Sequence, residues 1–381
     1  MSRESKFIHW LILTTAVVLT GSLLAGIWWF KLQQQQEPVR IGLAVNLSGH
    51  GGTAGEYIRE GALLAVEEAN AVGGIRGRPL ELLIKDDMNT RAGIRAADTA
   101  LIEQGVPVII GHVTSGASLL AYPLVTSHGV LMFTPYTATI ELTGKDDLFL
   151  RTSVDVTRYA RSMASLLQQK KAQSVAFLMD MSNPSFVNEY VDMTDRYFSG
   201  QTKKIQFNPK QKIDWEAVLE RLLAPTPDAI VLLSEVSMTG IAAQKLRAKG
   251  FTGPLVATLW AQTPDLMRFG GNAVEGLSII TFIDPDNDRP DFISFSEKMR
   301  ARLNKPANAR STRAYEAVSI LVEALRNLSP ITAEALKKEL LSGEFETLMG
   351  TVKFDPFGDV ERSVFEIRVE DGRFTRVGEL P

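Results

Sequence analysis

The stretch Val106–Thr143, with the sequence VPVIIGHVTSGASLLAYPLVTSHGVLMFTPYTATIELT, contains two short apolar runs that are each followed by a turn rich in hydroxyl groups. The runs Val106–Ile110 and Val130–Phe133 are rich in branched residues, which is typical of buried parallel strands. The turns Gly111–Gly116 and Thr134–Thr139 each precede a helical pattern. In an open parallel sheet, ligands bind beyond the carboxyl ends of the strands, where helix N-termini attract anions. The stretch therefore predicts a parallel α/β fold with a binding site for a small polar molecule.

Ser115 and Thr139 begin these two helical patterns, and each has two interpretations. Ser and Thr are common helix N-caps, so both hydroxyl groups can simply satisfy backbone N–H groups. Both can equally contact a ligand, because the two turns lie close together in one chain. We expect Ser115 to cap its helix and also to face the ligand.

The composition excludes several classes of function. The chain has 381 residues, of which 45% are hydrophobic, and this is enough for about two domains. A net charge of −3 does not favour nucleic-acid binding. The absence of cysteine excludes thiol catalysis, disulfides and cysteine-based metal sites. None of the four histidines has the i, i+4 spacing of a helical zinc site. We therefore expect no metal and no nucleic-acid partner.

The N-terminus has the pattern of a membrane anchor. Phe7–Phe30 is an apolar run without formal charge, and it is long enough to span a bilayer as one helix. Trp28 and Trp29 end the run, where aromatic rings favour the membrane interface. We expect residues 7–30 to anchor the protein on the periplasmic side of a bacterial inner membrane, with residues 1–38 forming anchor and linker. The alternative is a signal segment whose cleavage releases the protein into the periplasm.

Beyond the linker, short apolar strands alternate with helical patterns. Val39–Val45 and Leu80–Lys85 read as strands on either side of the amphipathic helix Tyr57–Ala71. Together with the two strands of the opening stretch, these elements give the order β-α-β-α-β-α-β, which predicts a parallel, doubly wound sheet. A second α/β series begins near Val156, and Asp371-Gly372 indicates a hairpin turn near the end of the chain.

The motifs taken together resemble one family. Ile41–Asp87, IGLAVNLSGHGGTAGEYIREGALLAVEEANAVGGIRGRPLELLIKDD, resembles the start of the type I periplasmic solute-binding proteins of the leucine/isoleucine/valine-binding kind. Further matches are IGHVTSGAS at 110–118, GVLMFTPYTATIELT at 129–143, FLRTS at 149–153, GNAVEG at 271–276 and MGTVKFDPFGD at 349–359. The resemblance covers Val39–Pro381, nearly all of the chain after the anchor.

This resemblance implies two doubly wound α/β lobes with parallel central sheets, joined by three crossovers, with a small molecule bound in the cleft between them. By motif, the crossovers fall near Arg151–Val154, Ile279–Thr281 and Gly350–Val352. The expected lobes are residues 39–151 plus 281–350 for the first and residues 152–280 plus 351–381 for the second.

The resemblance also implies which residues contact the ligand. In amino-acid-binding relatives, the loops that match Val113–Ser115 and Tyr136–Ala138 hold the ligand carboxylate. Ala138 stands where those relatives usually carry Thr, and no acid lies near Thr258–Trp260, where they carry the carboxylate that binds the ligand ammonium. Glu235 is the nearest replacement. The candidate ligand-binding residues are Ser48, Thr53, Val113, Thr114, Ser115, Tyr136, Thr137, Ala138, Thr139, Phe186, Glu235 and Trp260.

Three classes of function follow: a solute-binding component of an ABC importer, an anchored sensor that signals to a membrane or periplasmic partner, and an enzyme on a similar fold. Gly49–Ala54 fits the dinucleotide pattern G-x-G-x-x-A, but Asp86-Asp87 lies too far along the chain to be its ribose-binding acid. We therefore expect no cofactor and no catalysis. The favoured prediction is a binding protein that delivers an amino acid, amide or carboxylate-like solute to an ABC permease, with sensing as the alternative.

Overall fold

The computed structural model describes residues 14–15, 18–26, 28, 37–48, 52–304 and 306–381. Much of the predicted anchor Phe7–Phe30, and residues 49–51 of the dinucleotide-like pattern, lie outside these ranges. Within the described ranges, no helix is both long enough and apolar enough to cross a membrane.

Short strands and longer helices alternate along most of the chain. The strands are β1 (Val39–Val45), β2 (Leu80–Asp86), β3 (Val108–Ile110), β4 (Leu131–Thr134), β5 (Phe149–Arg151), β6 (Ser174–Asp180), β7 (Gln201–Phe207), β8 (Ala229–Leu233), β9 (Leu255–Thr258), β10 (Ser278–Thr281), β11 (Glu344–Thr347), β12 (Gly350–Lys353), β13 (Val364–Glu370) and β14 (Arg373–Leu380). The helices are α1 (Gly52–Ala71), α2 (Arg91–Glu103), α3 (Ser115–Ser127), α4 (Val156–Gln169), α5 (Pro184–Tyr197), α6 (Trp215–Leu223), α7 (Val236–Ala248), α8 (Asp265–Gly270), α9 (Pro290–Leu303), α10 (Ala309–Arg326) and α11 (Ala333–Ser342).

The first lobe is built on a five-stranded parallel sheet in the order β2-β1-β3-β4-β5. Every residue of β3 and β4 is buried, as expected for strands covered on both faces. Helices α1 and α10 pack together on this sheet and share one apolar core with it. Gly61 permits their close approach, because a Cβ atom there would lie 2.3 Å from the carbonyl oxygen of Ser311.

The second lobe is built on a seven-stranded sheet in the order β14-β13-β10-β9-β8-β6-β7. Strands β6 to β10 are parallel, and β13 and β14 add an antiparallel hairpin at one edge. The predicted turn at Asp371-Gly372 is confirmed, since these two residues join the paired strands. Both have positive φ, 52° and 70°, and a two-residue hairpin of this type requires positive φ at both positions.

The chain passes between the lobes three times. It leaves the first sheet after Arg151 and the second after Thr281. The third passage was predicted at Gly350–Val352, and this position is wrong. Strand β12 pairs with β11 instead, and Val352, Phe354 and Val360 pack in the core of the first lobe. The third passage therefore lies between Val360 and Val364, where the second core begins.

Two further predictions of the sequence differ from the structure at element boundaries. Helix α1 begins at Gly52 rather than Tyr57, so the second half of the dinucleotide-like pattern Gly49–Ala54 is helical. Strand β3 begins at Val108 rather than Val106. Apolar periodicity identifies an element more reliably than its first residue, because caps and turns decide the ends.

Candidate functional site

A cleft between the lobes contains two adjacent spaces, which we call the outer and inner chambers. The outer chamber has a volume of about 320 Å³, and the inner chamber has a volume of about 40 Å³. The outer chamber is lined by Asn46, Ala54, Gly55, Ile58, Asp87, Met88, Asn89, Thr90, Val113, Thr114, Ser182, Lys210, Glu235, Trp260 and Arg310. The inner chamber is lined by Val113, Thr114, Ser115, Tyr136, Ala138, Tyr159, Asn183, Phe186, Leu259, Trp260, Arg310 and Arg313.

The turn after β3 brings the start of α3 to both chambers. Thr114, not Ser115, is the N-cap of α3, and its hydroxyl accepts a hydrogen bond from the N–H of Ala117 at 3.2 Å. The prediction that Ser115 is the cap is therefore wrong by one residue, because two adjacent hydroxyl residues both suit that position. Ser115 is 2% exposed and lines the inner chamber, where its Oγ accepts a hydrogen bond from the N–H of Ala138 at 3.4 Å.

The turn after β4 contributes only part of its predicted contacts. Tyr136 and Ala138 line the inner chamber. Thr137 is fully buried and lies 2.5 Å from the hydroxyl of Ser118, within the first lobe. Thr139 is also fully buried, and it caps a short 3-10 helix while donating to Glu189 Oε1 at 2.5 Å. Two of the four hydroxyl or small residues predicted in this turn therefore face away from the chambers.

The remaining candidates divide between the two chambers and the surface. Phe186 and Trp260 pack edge to face, 6.1 Å between ring centroids, and both line the inner chamber. Glu235 lines the outer chamber. Ser48 is exposed and its side chain hydrogen-bonds Asp86 rather than lining either chamber. Thr53 lies in the first turn of α1, and its side chain is outside the described part of the structure.

Two arginines that sequence reasoning missed form the inner end of the cleft. Arg310 and Arg313 lie in the first two turns of α10, and each is 5% exposed. Arg310 donates to the carbonyl oxygen of Trp260 at 3.2 Å, and Arg313 donates to the carbonyl oxygens of Ala309 and Pro135. A signal was present in the sequence, because a helix dipole disfavours cations in the first turn and Arg310 lies there, so this residue requires another explanation.

The arginine pair has unsatisfied charge. Neither guanidinium forms an ion pair with a carboxylate in the described residues, and the Nε of Arg310 has no hydrogen-bond partner there. Burial lowers the pKa of Arg313 to about 10, so its guanidinium is still cationic at neutral pH. Burial also lowers the pKa of Arg310, and the charge of Glu235 opposes this effect.

Tyr136 holds both arginines in place. Its hydroxyl donates to the carbonyl oxygen of Arg310 at 2.8 Å. Its ring lies 4.5 Å from the guanidinium carbon of Arg313, a cation–π arrangement. The large residue at this position therefore has a structural role that its size alone did not reveal.

A further buried cation, His112, immediately precedes Val113, which lines the cleft. Its Nδ1 is 2.6 Å from Asp87 Oδ2, and its Nε2 is 3.0 Å from Asp98 Oδ1. Burial alone would lower the pKa of His112, but the two carboxylates outweigh burial and raise the pKa to about 9. His112 is fully buried and its charge is matched on both sides.

The two lobes contact each other across the cleft. The N–H of Gly116 in the first lobe donates to Asn183 Oδ1 in the second at 3.4 Å. Glu189 of α5 accepts from the hydroxyl of Thr139 and from the N–H of Ile140, the latter at 2.9 Å. These bonds join the two lobes directly across the cleft.

Residues 38–373 match the model of a protein family described as periplasmic binding protein. The chain belongs to this family. This periplasmic binding protein is 22% identical to a leucine-, isoleucine-, valine-, threonine- and alanine-binding protein of Pseudomonas aeruginosa, over 87% of this chain and 89% of the relative. It is 26% identical to a Leu/Ile/Val-binding protein homolog of Brucella abortus, over 88% and 92% of the two chains. The family recognised in the sequence is thereby confirmed.

Solved structures show the same fold. A leucine-binding protein from Thermotoga maritima superposes with a TM-score of 0.82 at 24% identity, covering 90% of this chain and 98% of that one. A solute-binding protein of an ABC transporter from R. palustris, in complex with benzoate, superposes with a TM-score of 0.80 at 18% identity, covering 90% and 97%. The expected α/β fold of the type I periplasmic binding proteins, with parallel sheets, is confirmed.

Proposed function

We propose that this periplasmic binding protein binds a small organic carboxylate with an apolar body in the cleft between its lobes and delivers it to an ABC importer. One observation carries the proposal: Arg310 and Arg313 are buried at the inner end of the cleft without a carboxylate partner in the described chain. A buried charge is stable only when it is paired and hydrogen-bonded. An anionic ligand would supply the missing partner.

The geometry of the inner chamber suits a carboxylate. Guanidinium groups bind carboxylates through paired hydrogen bonds in one plane, and in the described chain the buried Nε of Arg310 has no hydrogen-bond partner. Ser115 Oγ accepts from the N–H of Ala138, so its own proton remains available to a ligand oxygen. The lost Thr hydroxyl at Ala138 is then compensated by arginine rather than by another hydroxyl.

The walls of the inner chamber suit an apolar body. Aromatic rings of Tyr136, Phe186 and Trp260 line it, and such rings pack well against planar or branched groups. Among proteins of the same fold, one from Streptococcus pneumoniae was solved with isoleucine and one from R. palustris with benzoate. Both ligands carry a carboxylate on an apolar body, which supports the proposed class.

Delivery to an importer is the role that the relatives favour. Their names describe amino-acid-binding proteins and solute-binding proteins of ABC transporters. Nothing in these comparisons supports the sensing alternative, so we do not propose it. We retain the proposal that residues 7–30 anchor the protein at the periplasmic side of the membrane. Sequencing the N-terminus of membrane-extracted protein tests it, and a mature chain that begins after Phe30 would contradict it.

A thermal-shift titration of the full chain tests the proposed ligand class. Benzoate, isovalerate and isoleucine are compared with benzamide, which has the shape of benzoate without its charge. A ligand at 100 times its dissociation constant stabilises the folded state by about 2.7 kcal/mol. We expect stabilisation by at least one of the acids and little by benzamide.

Two variants show whether the arginine pair is responsible. Arg310→Gln should abolish the stabilisation by the acid. The matched control is Arg300→Gln, since Arg300 is exposed on α9, and this variant should respond like the parent protein. Equal responses to benzoate and benzamide, or an unchanged response in Arg310→Gln, would contradict the proposal.

A further inference from the structure

The inner chamber accounts for only a small part of the cleft. Its volume is about 40 Å³, whereas the outer chamber measures about 320 Å³. Val113, Thr114, Trp260 and Arg310 line both chambers, so the two spaces lie next to each other. A ligand whose carboxylate reaches Arg313 must therefore project the rest of its structure past Trp260 into the outer chamber.

The outer chamber contains one fixed acid with unused hydrogen-bonding capacity. Glu235 caps α7, and its Oε2 accepts from the N–H of Ser237 at 3.0 Å and from the Ser237 hydroxyl at 2.6 Å. In the described chain, its Oε1 has no hydrogen bond and its carboxylate has no ion pair. One oxygen is therefore held by the helix while the other is open to a donor.

The other charged groups of this chamber are less suited to ligand recognition. Asp87 also lines it, but its carboxylate is bonded to His112 at 2.6 Å and to the N–H of Asn89 at 2.8 Å. Lys210 is exposed, and a solvated, flexible ammonium contributes little to an interaction. Glu235 is half-buried and held in place, so among the described acids of this chamber it has the best-placed acceptor oxygen.

We propose that the ligand carries a hydrogen-bond donor, a hydroxyl or amino group, at the end remote from its carboxylate, and that Glu235 accepts this bond. The inference rests on the proposed carboxylate site, which orients the ligand. It assigns the substrate class as acids with a donor at the far end of an apolar body, such as para-hydroxy or para-aminomethyl aromatic acids.

The position of the donor separates this class from α-amino acids. An α-amino group lies next to the carboxylate and would occupy the inner chamber. No residue that lines the inner chamber is acidic, so an ammonium there would meet the two arginines and no counter-charge. Among the described residues of the cleft lining, the acid without an ion pair and with an unbonded oxygen is Glu235 of the outer chamber. Its position in the other chamber requires a donor separated from the carboxylate by the ligand body.

Calorimetric titration of the full chain with benzoate, 4-hydroxybenzoate, 4-(aminomethyl)benzoate and isoleucine tests this assignment. We expect a para donor to tighten binding at least about 10-fold over benzoate, because a hydrogen bond to a charged group is stronger than a neutral one. Glu235→Gln should remove the advantage of 4-(aminomethyl)benzoate while the affinity for benzoate stays within about twofold.

Ser237→Ala is the matched control. It removes the bonds that Ser237 makes through its hydroxyl but keeps the carboxylate of Glu235, so the preference for para donors should persist. Benzoate binding with no gain from either para group overturns this inference alone. Equal weakening of all acids by Glu235→Gln also overturns it, since Glu235 then acts only as a cap. Absence of binding by every acid overturns the carboxylate site and this inference together.

Discussion

His112 and the pair Arg310 and Arg313 are buried cations of the same lobe in opposite surroundings. The imidazole lies between Asp87 and Asp98 at 2.6 and 3.0 Å. The guanidinium groups face the cleft with only backbone oxygens and the ring of Tyr136 as partners in the described chain. Both ring nitrogens of His112 therefore have a carboxylate partner, whereas the arginine pair has none in the described chain.

The difference teaches how to separate structural charge from functional charge. A buried cation that has its own carboxylates is structural in the sense that removal of one partner lowers stability, because an uncompensated charge is left behind. Arg362, which pairs with Glu316 at 2.6 Å, belongs to the same structural group. A buried cation without a carboxylate lowers stability unless a ligand provides one. Such sites combine low intrinsic stability with function.

The largest expected effect is a loss of stability at His112, the buried cation that has carboxylate partners. Asp98→Asn removes one carboxylate from His112 at a site that is fully buried. We expect the free energy of unfolding to fall by about 3 to 5 kcal/mol, measured by denaturant titration without ligand. The control is Glu103→Gln, since Glu103 is an exposed acid on the same helix. This variant should unfold with nearly the same free energy as the parent protein. A loss below about 1 kcal/mol in Asp98→Asn would break the comparison.

The pH dependence of stability is the next effect in size. The pKa of His112 is raised from 6.5 to about 9 in the folded protein. Its contribution is therefore complete below pH 6.5 and is lost as the pH rises towards 9. We expect a decrease on the order of 3 kcal/mol across this range, measured by urea unfolding at several pH values. The decrease should be much smaller in Asp98→Asn, and an equal decrease there would assign it to another group.

At the arginine pair we expect the reverse, a loss of affinity for the ligand without a loss of stability. Arg313→Met removes a buried cation that has no carboxylate in the described chain, so the unfolding free energy without ligand should change by less than about 1 kcal/mol or increase. Affinity for the acid identified by thermal shift should fall about 10- to 150-fold, which corresponds to 1.5 to 3 kcal/mol for a lost charged hydrogen bond. Loss of stability with unchanged affinity would place Arg313 in the structural group with His112.

The smallest expected effects separate Thr114 from Ser115. Thr114→Ala removes the cap of α3, and we expect a loss of about 1 kcal/mol in stability with the affinity nearly unchanged. Ser115→Ala should instead lower the affinity for the acid ligand about fivefold, which is equivalent to about 1 kcal/mol for one hydrogen bond. Melting temperature without ligand and calorimetry with ligand measure the two effects. If both variants lose stability and neither loses affinity, Ser115 does not contact the ligand.

The sequence was sufficient for the fold and for most of the residues that line the inner chamber, but for few of those that line the outer chamber. Buried runs such as Leu131–Thr134 repeat with turns and helices, and this order alone requires a parallel sheet with its ligand at the strand ends. The predicted residues Val113, Ser115 and Trp260 all line the cleft. Short motifs that follow strands are local features, and local features are readable from one chain.

The charged end of the cleft was not predicted, for a physical reason. Arg310 and Arg313 lie far along the chain from the turn that contains Tyr136, and only the packing of α10 on α1 brings them together. The third crossover was placed too early for a related reason. The alternation of Gly350–Lys353 indicates a strand but does not show which sheet it joins, and it forms a separate pair with β11. Contacts between residues that are far apart in the chain can be identified only once the fold is known.

The division of each lobe between distant chain segments has a consequence for biosynthesis. The first lobe needs α10 to dock on α1 across Gly61, and the second needs β13 to pair with β10. Contacts of such large sequence separation form late, because closing a long loop is entropically unfavourable. A growing chain can therefore assemble β6–β10 with their helices before either lobe is complete. The two arginines enter the cleft only at the last stage, so ligand can stabilise only the nearly completed chain and cannot guide its earlier folding.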